Sequence, residues 1–184
     1  MRIVRFKIIF SVLFLLLGMK PINAVYVPAP YLKYVSEITK STGAEMQKEF
    51  DLVYIGGGGR MPNDVEEIEL NFIAYRKGTI KEAREIEVKG TEKLVKKINE
   101  HEKLRPYLRE YPVKADRAYI SVAFRKKDNT RYSDGSVALA FQARNLLVYC
   151  HEDPKTENLE DLFEEPYEEA LKIVKNEALK QKTP

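Results

Sequence analysis

Cysteine occurs once in the 184 residues, at Cys150, so no intramolecular disulfide can form and the core has to hold by packing. Histidine occurs twice, at His101 and His151, far apart and without a second His four residues on, so a zinc site lacks its ligands. The Gly-x-Ser-x-Gly turn that exposes a hydrolase serine is missing. Four glycines at 56–59 are followed by Arg60-Met61-Pro62 and not by Gly-Lys-Ser/Thr, which removes the lysine and hydroxyl of a phosphate-binding loop. A dinucleotide loop starting at Gly56 needs glycine at 61, where Met stands, and Pro62 opposes an immediate helix. The acidic stretch 152–169 lacks the spacing and glycine of a calcium loop. No metal and no cofactor are therefore expected.

Long apolar runs are also scarce. The one that exists, residues 8–17, follows Arg2, Arg5 and Lys7 and precedes Gly18, Pro21 and Ala24, the layout of a secretory leader. It falls short of the roughly 20 residues that span a bilayer, so the expectation is export to the periplasm or beyond the cell, with cleavage near Ala24 and membrane contact only through the leader before cleavage. No cysteine stands beside that cut to carry a lipid. The leader holds Arg2, Arg5, Lys7 and Lys20 and no acid, so removing these 4 of the 31 basic residues leaves 27 against 28 acids. The net charge then falls from +3 to about −1, and the basic excess gives no reason to expect a nucleic-acid partner.

The remainder reads as an extended lead-in at 25–30, one α+β domain at 31–176 and a frayed tail at 177–184. Leu32, Val35, Ile38, Thr42, Met46 and Phe50 form one helical stripe. Residues 52–55 are a short β-rich run ended by the glycines, which are expected to form a bulge, bend or flap. Residues 65–76 alternate, with Ile68, Leu70, Phe72 and Ala74 on one face. Thr79-Ile80-Lys81-Glu82 is a capping box that opens a long helix with Ala83, Ile86, Gly90, Leu94 and Ile98 inward, and Gly90 suggests close contact with a sheet. Pro106 can open a short second helix that Pro112 stops. Strands are expected at 119–125, 137–143 and 147–151, an edge strand at 161–164, and a last helix with Pro166 in its first turn. The fold class is α+β: a mostly antiparallel sheet of about 4–6 strands with a long helix and flanking N- and C-terminal helices packed on it.

Cys150 and His151 are adjacent on a strand, so they point to opposite faces and do not make a nucleophile–base pair. No catalytic residue is assigned. The candidate ligand-binding residues are Arg105, Tyr107 and Tyr111, gathered with Arg109 around Pro106 and Pro112, together with Gly57, Gly58 and Arg60 from the glycine run. Arginine offers bidentate bonds to a carboxylate or phosphate and tyrosine offers flat contact area. The bland alternative is a structural corner whose tyrosines pack on the sheet while Arg105 holds helix-end carbonyls. If the first reading holds, the glycine run and the corner lie close together and frame a concave surface.

The segments AREIEVKGTEKLVKKINEHEKLRPYLREYP, AYISVAFRK, SDGSVALAFQARN and EEPYEEALKIV resemble a family of small exported bacterial proteins with no assigned activity. The resemblance covers most of the chain after the leader and implies no catalytic residue. The family pattern implies Asn-Gly in the second hairpin, where this chain has Asn145-Leu146. Three functions remain open: non-enzymatic binding of an unknown protein or small ligand, an envelope hydrolase or transferase using acidic residues, and a structural or assembly component.

Overall fold

The computed structural model describes residues 28–182. The leader-like segment lies outside them. Among the described residues, no helix is long and apolar enough to cross a membrane. Within residues 28–182, three helices, α1 (Leu32–Phe50), α2 (Ile80–Glu100) and α3 (Tyr167–Lys182), accompany six strands, β1 (Val53–Gly58), β2 (Ile68–Ala74), β3 (Ala118–Phe124), β4 (Leu139–Ala143), β5 (Leu146–Glu152) and β6 (Leu159–Pro166). The strands form one sheet in chain order, antiparallel except for β2 and β3, which run parallel with α2 as their connection. The expected α+β class is what the chain adopts.

Alternation fixes the layers. In β2 and β3 every second residue, Ile68, Leu70, Phe72, Ala74 and Ala118, Ile120, Val122, Phe124, is buried under the helices. The intervening residues face the other side of the sheet, which carries no helix among the described residues. Helix α2 lies over the middle of the sheet, α1 over β1 and β2, and α3 over β5 and β6. Its stripe is as expected: Ala83, Ile86, Gly90, Leu94 and Ile98 are all buried. Glycine in mid-helix costs about 1 kcal/mol. At position 90 any Cβ would stand 2.8 Å from Ile120 Cγ1 and 2.8 Å from the Met46 methyl, so only glycine lets α2 sit this close to β3 and α1. Burying a side chain of Ile or Leu size contributes about 1.5–3 kcal/mol, which outweighs the propensity loss.

Several local expectations are corrected. The strand before the glycines continues through Gly58, with Gly57 and Gly58 pairing with Leu70 and Glu69, and the expected bulge falls between Tyr54 and Gly56. The short helix after Pro106 is a single 3₁₀ turn, Arg105–Tyr107, because Leu108 is extended and pairs with Val65. Thr79 caps α2 by accepting from the Glu82 amide at 3.2 Å, but the Glu82 carboxylate turns to Arg76 Nε at 2.5 Å and leaves the capping box half made. Pro166 ends β6 opposite Leu146, and α3 begins after it and runs to Lys182, through the expected tail. The hairpin between β4 and β5 turns on Arg144 and Asn145, with Arg144 at φ 56° in the place glycine usually takes.

Candidate functional site

The structure brings Arg60 and the corner after α2 to the same end of the sheet. The Val65 amide donates to Tyr107 O at 2.8 Å and the Arg109 amide to Val65 O at 3.0 Å, so the corner is stitched to the chain entering β2. Residues 60 and 67 close the intervening loop through Arg60 N to Glu67 O at 3.1 Å and Glu67 N to Arg60 O at 3.2 Å. Gly59 sits at φ 145°, and a Cβ there would lie 1.9 Å from Glu67 O, so this glycine is required by the turn.

Three arginines and three acids meet over this seam. Glu66, whose side chain is 4% exposed, receives Arg60 at 2.7 Å and is also paired with Arg109. Arg109 additionally grips Asp64 through Nε and Nη2, both at 3.0 Å. Glu67 takes Arg60 at 3.0 Å and Arg117 at 3.2 Å. Burial and then the nearby Glu67 push the Tyr119 phenol above its ordinary range. The cavity between these groups, lined by Arg60, Val65, Glu66, Arg109, Glu110, Val113 and Arg117, measures about 70 Å³. That is room for a few waters, well under the roughly 300 Å³ at which small-molecule pockets begin.

The other candidates have structural work. The Arg105 guanidinium lies 4.5 Å from the centre of the Tyr111 ring, and its Nη2 reaches Asn99 O near the end of α2 at 3.5 Å. Tyr107 packs against Tyr31 at 5.7 Å and Tyr34 at 6.4 Å between ring centres. His101 accepts from the Leu104 amide at 3.1 Å through Nδ1, which turns the chain at the helix end. Gly57 and Gly58 lie in the edge strand near Arg60, but they do not line this cavity. Arg60, next after the glycine run, and the corner are thus close together, and the cavity between them is small, internally charge-paired and lined by none of the four glycines.

A larger recess lies at the opposite end of the sheet, on its helix-free side. There the loop of residues 126–136 folds across the ends of β2, β3 and β5. Tyr75 Oη donates to Asn129 Oδ1 at 2.8 Å, Ser133 Oγ to Glu152 Oε1 at 2.6 Å, and Arg131 Nη1 to Glu152 Oε2 at 3.1 Å. Glu152 is 8% exposed, and the Ser133 hydroxyl and Arg131 hold its carboxyl below the usual range. The recess measures about 500 Å³ and is lined by Arg125, Lys126, Asn129, Thr130, Arg131, Ser133, Glu152 and Glu157.

Its donors are not all used. Arg125 Nη1 donates weakly to Phe124 O and Ala138 O, both at 3.3 Å, and Arg131 Nη1 also reaches Glu157 O at 3.2 Å. Arg131 Nε is buried without a partner among the described residues. Burial, followed by the neighbouring Arg131, lowers the Arg125 pKa from its ordinary value.

Residues 126–136 lie between the strands expected at 119–125 and 137–143 and carry no motif of a site. Alternation carried one step past Ala123 does put Arg125 on the free face, as one step past Cys150 in the same period puts Glu152 there. Their meeting, however, depends on β4 lying between β3 and β5, which no local pattern encodes.

One further carboxyl stands out. Glu87 of α2 is completely buried, both its oxygens lack a hydrogen-bond partner among the described residues, and burial raises its pKa well above the ordinary carboxylate value. It lines neither the corner cavity nor the larger recess and so is not placed as an acid for chemistry there. No group of three or more His, Cys, Asp or Glu that could hold a metal ion occurs among the described residues.

The molecule is thus defined as a two-layer α+β domain with a charge-locked corner at one end of its sheet and a polar recess at the other. Comparison with known protein families, with curated proteins and with solved structures yields no match.

Proposed function

We propose that the protein is an exported, non-enzymatic binding domain that holds a small polar ligand in the recess beneath residues 126–136. The observation that carries the reading is the pairing of volume with positive charge that the fold leaves uncompensated: about 500 Å³ lined by Arg125, Lys126 and Arg131, of which only Arg131 has a carboxylate partner among the described residues. Arg125 spends its Nη1 on two long bonds to carbonyl oxygens, both at 3.3 Å, and a charged acceptor in the recess makes a stronger bond than either. Export rests on the leader-like residues 2–24. The glycine run and the Arg105–Tyr111 corner take a supporting role here, because their arginines and tyrosines are already spent on the fold.

The test is a thermal-shift screen of polar metabolites on the purified protein, repeated on Thr130→Trp, whose indole fills the recess. Compounds that raise the melting temperature of the parent and leave the variant unchanged are expected. Hits that stabilise both proteins equally, or an absence of hits, count against the reading.

A further inference from the structure

We infer that the ligand group recognised in this recess is an oxyanion, a carboxylate or phosphate seated between Arg125 and Arg131. The inference rests on the binding reading above and adds the chemistry of the bound group.

The charge balance of the recess favours it. Three cations, Arg125, Lys126 and Arg131, line the space against two carboxylates, Glu152 and Glu157. Of the acids, Glu152 is spent: Ser133 and Arg131 occupy its two oxygens. Its effect is to fix the Arg131 guanidinium by one edge while Nε remains unbonded. Arg125 comes from the end of β3, so its backbone is held by the sheet through its amide to Ala74 O at 2.9 Å. Two guanidiniums mounted on rigid supports, with unfilled N–H groups and a partly desolvated setting, are matched by an acceptor with several oxygens and a negative charge. A neutral sugar hydroxyl would satisfy the hydrogen bonds but leave the repulsion between the two arginines in place.

The contrast with the other end of the sheet sharpens the assignment. At the corner, Arg60, Arg109 and Arg117 face Asp64, Glu66 and Glu67 in direct ion pairs, one acid for each arginine. An incoming anion there has to displace a carboxylate that is already seated. In the recess only Arg131 has a carboxylate partner among the described residues, and Arg125 bonds only carbonyl oxygens.

The experiment is calorimetric titration of the purified protein with inorganic phosphate and with succinate, each against sodium chloride at equal ionic strength. Saturable heat with either anion, and none with chloride, is the expected result. Phosphate alone assigns a phosphoryl group and succinate alone a carboxylate. Arg125→Gln is expected to weaken binding about tenfold or more, the loss of one charge-assisted contact. Glu152→Gln keeps an amide oxygen to accept from Arg131, turns its NH2 to donate to the Ser133 hydroxyl, and removes a negative charge, so it is expected to tighten anion binding several-fold. A merely structural role for Glu152 predicts the reverse sign. Absence of saturable heat with both anions overturns the inference, as does binding that neither variant alters. If a neutral compound binds in the screen and is excluded by Thr130→Trp while both anions fail, the oxyanion assignment falls and the binding reading stands.

Discussion

Arg109 and Glu66 form an ion pair that joins the chain leaving α2 to the chain entering β2, with the Glu66 side chain nearly sealed beneath the guanidinium. Because Arg60 reaches the same carboxylate from the glycine end, Glu66 is the common anchor of three segments. Glu66→Ala is expected to destabilise the protein by about 1–3 kcal/mol, since it removes the buried carboxylate shared by two arginines, leaving Arg60 only Glu67 and Arg109 only Asp64, and opens the seam. Chemical denaturation monitored by far-UV circular dichroism reads this directly. Anion binding at the distant recess should be unchanged in the same variant.

Gly90 tests whether packing outweighs helix propensity. Alanine improves the propensity of an exposed helix site by about 1 kcal/mol. Here its methyl meets Ile120 and Met46 at distances that force movement, and overpacking of this kind costs about 1–3 kcal/mol. Gly90→Ala is expected to lower the denaturation midpoint slightly and Gly90→Val to lower it severely. A midpoint raised by alanine contradicts the close contact of α2 with β3.

Glu87 sets a pH dependence. Its pKa is raised in the folded protein, so the folded state binds the proton more tightly than the unfolded chain does. Its stabilising contribution is therefore fully present below the unfolded carboxylate range and is lost as pH rises toward the folded value. Glu87→Gln should leave stability unchanged near pH 4 and raise it at pH 8, by about 1–3 kcal/mol. Melting temperatures of parent and variant across that range make the comparison; parallel curves contradict it.

Cys150 is 5% exposed, donates to Asp161 Oδ1 at 3.5 Å, and has its thiol pushed up to about 11 by burial and by that carboxylate. Almost no thiolate exists at pH 8, and thiol reagents react through the thiolate. Alkylation by iodoacetamide at pH 8 should be slow in the native protein and rapid in urea. Fast native labelling would show that the free face of β5 opens more readily than its packing indicates.

Helical stripes and alternating strands were legible because each is a short-range pattern with one buried face. The stripe of α2, the inward residues of β2 and β3, and the close approach at Gly90 all follow from spacing alone. What local patterns miss is set by partners far along the chain. Gly57 and Gly58 stay in β1 because β2 offers them hydrogen bonds, which overrides their weak strand preference. Glu87 lies beside the stripe and no local pattern marks it as buried, yet α3 and β5 bring Tyr167 and Tyr149 near it. The candidate site shows the same division. The sequence pointed to clustered arginines, and the corner is such a cluster, but whether an arginine is spent or spare depends on carboxylates brought in by the fold. Asp64, Glu66 and Glu67 occupy those of the corner, while Arg125 meets only carbonyl oxygens.

The central claim is that the recess beneath residues 126–136, and not the corner at Arg60 and Arg109, is where this protein binds. Backbone amide chemical shifts followed by two-dimensional NMR during a phosphate titration test it most directly. The account predicts saturable shifts confined to residues 125–133 and 152–157, abolished in Arg125→Gln. Shifts centred on residues 60–67 and 105–117, or none that saturate, would contradict it.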